Sequence, residues 1–127
     1  SSPSEMRFMH EWATGELDLP ICPARSTDVY SAYLRWCRIN GEPRPRPSNQ
    51  FYGAVERMEG WAKKKERIHR EVCADLTSVP TPLVLPPDRL IVGDYAYKEG
   101  SSRTAWYTRC VEAFADGIKD SALRAAA

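Results

Sequence analysis

Between Ser48 and Arg70 the chain places Asn49, Gln50, Tyr52 and Arg57 on one short polar stretch, then follows it with Lys63-Lys64-Lys65-Glu66-Arg67. Asn and Gln each offer a donor beside an acceptor and match the N6/N7 edge of adenine, while Arg matches the O6/N7 edge of guanine. Tyr52 suits a phosphate oxygen or a thymine methyl, and Gly53 would let a helix approach closely. A run of Lys and Arg neutralises phosphates and releases their counterions. Arg44 and Arg46 stand just before the stretch, held extended by Pro43, Pro45 and Pro47 beside the anion-attracting start of a helix. The chemistry open to this set is non-covalent recognition of duplex DNA. Asn49, Gln50, Tyr52 and Arg57 are the expected base readers, and Arg44, Arg46, Lys63, Lys64, Lys65 and Arg67 the expected phosphate contacts. The plainer alternative is a solvated helix face followed by a solvated charge run.

The distribution of charge favours the first reading. The 127 residues carry a net charge of +1, yet from Arg35 to Arg70 ten basic residues face four acidic ones. That segment is net +6 and the remainder, with eight basic and thirteen acidic residues, is net −5. A basic band on an acidic body is the sequence pattern of a phosphate-binding face.

Other chemistries find little support. His10 and His69 combine with no acid or nucleophile in a recognisable order, and no phosphate-binding, dinucleotide, zinc-protease or nucleophile-elbow motif occurs. Cys22, Cys37, Cys73 and Cys110 lie far apart with no CxxC pair, the pattern of buried free thiols rather than a metal site or disulfide framework. The expectation is a non-catalytic chain with no cofactor and no metal. No apolar run approaches the roughly 20 residues that span a bilayer, so no membrane partner is expected and the cytoplasm is the expected location.

Helices and a ribbon must position these side chains. Pro3 to about Thr14 reads as a helix with Met6, Phe8, Met9, Trp12 and Ala13 on a broad apolar face, capped by Ser4 and ended by Gly15. Leu17, Leu19 and Ile21 alternate as in a short edge strand. A second helix spans about Thr27 to Asn40, capped by Ser26 or Thr27, with Val29, Tyr30, Tyr33, Leu34 and Cys37 in one stripe. Gly41 and the prolines after it stop that helix. A third, opening on Ser48, turns Phe51, Val55 and Met58 one way and Asn49, Gly53 and Glu56 the other, and Gly60 ends it. Ala62–Val72 and Pro82–Tyr97 read as strands of a ribbon, broken at Pro86-Pro87-Asp88. If Ala62–Val72 is a strand, Lys63, Lys65 and Arg67 form a ladder on one face while Lys64, Glu66 and Ile68 take the other. From about Ser102 to Arg124 the pattern is helical again, with Trp106, Cys110, Val111, Phe114 and Ile118 on one side. Most aromatics fall on apolar helix faces and suit a core, and Trp36 and Trp61 are the two with the best chance of exposure.

The segments FMHEW, STDVYSAYLRWC and SNQFYGAV resemble the C-terminal module of phage and plasmid primase-helicases of the satellite-phage alpha-protein and poxvirus type. The residues that carry the likeness are Phe8, Trp12, Asp28, Tyr30, Tyr33, Trp36, Cys37, Gly41, Ser48 and Phe51, within residues 5 to 58. The resemblance implies a winged helix that recognises a replication origin, with primase and helicase activities upstream. After Trp61 the sequence departs from that pattern, adding a Pro-rich ribbon and a final helix suited to a homodimer or to docking other replication proteins. The expected whole is a single α+β domain, a winged helix-turn-helix with three N-terminal helices, a β-ribbon at about 62–97 and an added C-terminal helix. A docking domain and a stand-alone transcriptional regulator are the alternative functions.

Overall fold

A computed structural model describes residues 2–72 and 75–123. The first helix, α1 (Ser4–Ala13), buries Ser4, Glu5, Phe8, Met9 and Trp12, a single stripe at helical spacing. A bent segment leads to β1 (Ala24–Arg25), which runs directly into α2 (Ser26–Ile39). Gly41, at φ 73°, turns the chain out of α2 toward α3 (Ser48–Arg57). Strands β2 (Ala62–Val72) and β3 (Asp75–Leu85) form an antiparallel hairpin whose register holds without offset from Ala62 opposite Leu85 to Val72 opposite Asp75. β1 adds to β3 through Ala24–Val84 and Arg25–Leu83, giving the strand order β1-β3-β2. Two 3-10 turns precede α4 (Arg103–Asp120), whose start is capped by the Ser102 hydroxyl accepting from the Ala105 amide at 3.1 Å. The architecture is α+β, with four α-helices and a three-stranded antiparallel sheet among the described residues.

One aromatic core joins these layers. Phe8 of α1 lies 5.8 Å from Tyr33, 5.9 Å from Trp36 and 6.1 Å from Phe51, between ring centroids. Trp12 meets Trp61 at 5.1 Å and Phe114 of α4 at 5.3 Å, and its indole N–H donates to the Pro20 carbonyl at 2.9 Å. Trp36 and Trp61 are only 2% and 7% exposed, so neither offers a free stacking surface. Gly60 is required where α3 hands over to β2. Its φ is 84°, and a Cβ there would stand 2.9 Å from the Pro87 side chain.

Helix α4 closes the sheet side of the core. Trp106, Tyr107, Cys110, Val111 and Phe114 are buried, and the Thr108 hydroxyl accepts from the His69 amide of β2 at 2.8 Å. The Arg35 side chain caps the far end of α4, donating to the carbonyls of Ile118 and, at 2.7 Å, Ser121. Cys22, Cys37 and Cys110 are buried free thiols, whereas Cys73 lies outside the described residues. Cys22 donates its S–H toward the Cys110 carbonyl at 3.4 Å, and hydrogen bonding with Cys110 together with burial pushes its pKa up. It therefore stays a thiol.

Several sequence expectations are corrected. Leu17, Leu19 and Ile21 form no strand; Leu17 and Leu19 are buried from a bent loop, because Pro20 and Pro23 interrupt any ladder there. The ribbon ends at Leu85 rather than near Tyr97. Pro86 and Pro87 donate no hydrogen bond, and Leu90-Ile91-Val92 falls between 3-10 turns. Conversely, Asp75–Val79 belongs to β3 despite Pro80 and Pro82. Those prolines sit opposite Arg67 and Lys65 on the part of β3 that β1 does not reach, where a missing N–H breaks no ladder bond. Helix α4 stops at Asp120, because Ser121 turns extended and the Arg35 guanidinium takes up the closing carbonyls; Arg124, the expected end, lies outside the described residues. The expected Ser and Thr caps are also absent at α1, α2 and α3. The N-cap positions are Pro3, Arg25 and Pro47, none with a side-chain cap bond, and Ser4 instead shares a 2.7 Å hydrogen bond with the Tyr33 hydroxyl.

Candidate nucleic-acid interface

Helix α3 is amphipathic and short, and what it buries fixes what it displays. Phe51, Ala54 and Val55 go into the core, with Phe51 stacked on Tyr33 at 4.6 Å. This leaves Asn49, Gln50, Glu56 and Arg57 exposed on the opposite side, with Gly53 half-buried between them. Asn49, Gly53 and Arg57 succeed one another at four-residue steps and so share a face. Together with Gln50, Arg46 and Glu5 they line a shallow groove along the outer surface of α3. The Arg57 guanidinium folds back over Gly53, where a Cβ would lie 3.3 Å from Nη1. Three of the four expected base readers thus occupy one concave surface.

Tyr52, the fourth, is otherwise engaged. Its hydroxyl donates to the Ser26 carbonyl at 2.8 Å, tying α3 to the start of α2, and burial pushes its pKa up so that it remains a neutral donor. Its ring carries the Lys63 ammonium at 4.9 Å. Tyr52 therefore positions a cation rather than presenting its own hydroxyl.

The hairpin separates its charges by strand alternation. Ile68 is buried on one face, and Lys64 on that face pairs with Glu66 at 3.6 Å. Lys63, Lys65 and Arg67 project from the other face, Lys65 and Arg67 exposed and Lys63 half-buried against Tyr52. Arg67 is braced across the ribbon, donating to the Ser78 carbonyl at 3.0 Å and hydroxyl at 3.2 Å. The contact between Lys63 and Tyr52 places the ladder on the α3 side of the sheet. Lys64, expected among the phosphate contacts, does not share that side.

The turn between α2 and α3 is held from below by tyrosines. Its prolines cannot donate backbone hydrogen bonds to one another, and the side chains of α2 supply the missing partners. The Arg46 amide donates to the Tyr33 hydroxyl at 2.8 Å, and its carbonyl accepts from the Tyr30 hydroxyl at 2.8 Å. The Arg46 guanidinium meets Glu5 of α1, with Nε 3.1 Å from Oε2. Glu42 of the same turn pairs with Arg7. Arg44 is exposed beside them. Sequence reasoning assigned no role to Glu5, although a carboxylate on the apolar stripe shared with Phe8, Met9 and Trp12 is the kind of residue that requires a charged partner.

Among the described residues no cluster of His, Cys, Asp and Glu could hold a metal ion, and no helix is long and apolar enough to cross a membrane. A substitution separates fold from surface at this site. Gly53→Ala is expected to raise stability by about 0.5–1 kcal/mol, since alanine favours a helix interior over glycine. Its methyl group would also lift the Arg57 guanidinium from its seat. The expected pairing is a higher urea midpoint with a changed Arg57 surface, and a lower midpoint would show that the close contact outweighs helix propensity. Comparison of the chain with family models, with curated proteins and with solved structures finds no match.

Proposed function

We propose that this chain is a winged-helix domain that binds duplex DNA without catalysing a reaction. On this reading α3 lies in the major groove and the β2–β3 hairpin is the wing along the backbone. The observation that carries it is the shared side of two chemically distinct surfaces. The polar groove of Asn49, Gln50 and Arg57 adjoins the cationic ladder of Lys63, Lys65 and Arg67, with Lys63 on Tyr52 as the join. Base-reading groups on a helix flanked by phosphate-neutralising groups on a ribbon divide the work of recognition as DNA-binding folds do. Arg44, in the turn leading to α3, adds a phosphate contact. Tyr52 acts in support by seating Lys63, and Lys64, paired with Glu66 on the other face, takes no part.

The sequence resemblance to the origin-binding module of primase-helicases supports a place at a replication origin of a phage or plasmid, within a larger replication protein. Cooperation with other replication proteins follows from that place, and α4 offers a surface for them or for a second copy.

The test is duplex affinity as a function of salt, joined to selection of sites from a random pool. Contacts from Arg44, Lys63, Lys65 and Arg67 give a log–log slope of roughly −3.6, a loss on the order of a hundredfold between about 50 and 200 mM salt. A weak affinity unchanged by salt would sink the proposal. Salt-dependent binding with no enriched site would leave phosphate contact standing and remove the base-reading role.

A further inference from the structure

Arg46 is held at its backbone and at its guanidinium while its side chain stays half exposed. Its backbone amide and carbonyl are each bonded at 2.8 Å to a tyrosine hydroxyl of α2, from Tyr33 and Tyr30 respectively. Tyr33 is in turn fixed by Ser4 at 2.7 Å and by its stacking on Phe51. The guanidinium is oriented by Glu5, which is 7% exposed and approaches Nε at 3.1 Å. Glu5 engages through Oε2 alone, its Oε1 being buried with no hydrogen-bond partner among the described residues. Half of the Arg46 side chain nevertheless remains exposed, at 49%. It lines the same groove as Asn49, Gln50, Gly53 and Arg57.

This arrangement fits a neutral ligand edge better than a phosphate. A guanidinium beside a buried carboxylate has its net charge cancelled locally, which weakens its pull on an anion, and the carboxylate repels that anion further. Directional hydrogen bonding survives the cancellation. With Nε directed at Glu5, the two Nη groups retain four N–H donors in a planar fork, the geometry that meets the paired O6 and N7 acceptors of guanine. Fixing the backbone on both sides and the side chain at Nε removes rotamer freedom before binding, so less is lost on contact. Arg44, two residues earlier and exposed, has no such buttress among the described residues.

We infer that Arg46 is a guanine-reading residue, aimed by Glu5, and that the chain's preferred duplex carries a guanine beside the bases met by Asn49 and Gln50. Resting on the DNA-binding reading above, this assigns Arg46 to the sequence-reading set, and Glu5 to the positioning of that set, in place of the phosphate role expected from the sequence. Two tyrosines, a serine and a glutamate, all outside α3, then act in specificity without touching DNA.

The experiment uses the whole chain and a duplex selected from a random pool, with three perturbations. Replacing the selected guanine by 7-deazaguanine, which exchanges N7 for C–H, weakens the wild-type complex on the order of tenfold or more. Arg46→Gln loses the preference for guanine at that position and becomes insensitive to the 7-deaza change. Glu5→Gln, near-isosteric and still able to accept a hydrogen bond, frees the positive charge while loosening its aim. It therefore raises affinity for random duplex and lowers discrimination at the guanine. A phosphate role for Arg46 gives a different pattern. Arg46→Gln would then weaken every duplex by one common factor and reduce the salt slope by about 0.9, with the 7-deaza effect intact. That pattern, or a selected site with no guanine sensitive to Arg46, overturns the inference while leaving DNA binding in place. Absence of any duplex binding overturns both.

Discussion

Replacing Lys63, Lys65 and Arg67 together by glutamine is expected to weaken binding to every duplex, selected or random, by several hundredfold at about 0.1 M salt. Each phosphate contact contributes a slope near −0.9, which at that salt corresponds to roughly eightfold in affinity per cation. The salt slope itself should fall by about 2.7. The three side chains occupy one face of β2, on the side facing α3, and only Lys63 is half-buried. Stability should change little, because exposed charges contribute little to folding. The control lies on the same strand. Lys64, turned to the other face and paired with Glu66 at 3.6 Å, should tolerate glutamine with less than a twofold change in affinity. Equal losses from Lys64→Gln and Lys65→Gln would mean that the hairpin does not present one face to DNA. Fluorescence anisotropy with a labelled duplex over a salt series reads each of these quantities.

The largest expected effect on folding comes from Phe51→Ala, at about 3–5 kcal/mol. Phe51 is fully buried and lies within 6.1 Å, between ring centroids, of Phe8, Tyr30, Tyr33 and Tyr52. It is the side chain by which α3 is anchored to both earlier helices. Truncation leaves a cavity among rigid rings that cannot collapse to fill it. Because small domains are stable by only about 5–15 kcal/mol, the loss is a large share of the whole. Urea unfolding followed by tryptophan fluorescence measures it, with Trp12 and Trp36 buried near the site. A cost below about 1 kcal/mol would show that α3 is held mainly by other contacts, such as Tyr52 to the Ser26 carbonyl.

Much of the helical framework was legible in the sequence, because its apolar residues recur at helical spacing and its ends carry Gly41, Gly60 and prolines. The ladder on β2 was legible for the same kind of reason. Alternation along a strand assigns Lys63, Lys65 and Arg67 to one face whatever the fold around them. β3 begins at Asp75 rather than at Pro82, the start expected because Pro80 looks like a strand breaker, and only the pairing pattern reveals that the nitrogens of both prolines fall where no partner needs them. Leu90-Ile91-Val92 was overread because a short apolar run has no period of its own, and its exposed member, Val92, is open to solvent at 68%. The roles of Tyr30, Tyr33 and Glu5 depend on contacts 13 to 41 residues distant along the chain, as with Tyr33 to Arg46 and Glu5 to Arg46. Local pattern contains no information about such contacts. It did mark Tyr30 and Tyr33 as core aromatics, but their rings and their hydroxyls turn out to serve different ends.

The two prolines of β3 bear on how copies of this domain behave in company. Where copies of a protein are crowded together, an open sheet edge becomes a template for strand addition. Along the stretch of β3 that β1 leaves uncovered, Pro80 and Pro82 present ring carbons where an incoming strand would need donors. On that part of β3 a further strand would therefore find no donors to pair with, whereas β2, the outer strand on the other side, carries no such block. β3 thus keeps its full length from Asp75 to Leu85 while the part of its edge beyond β1 is closed to a further strand.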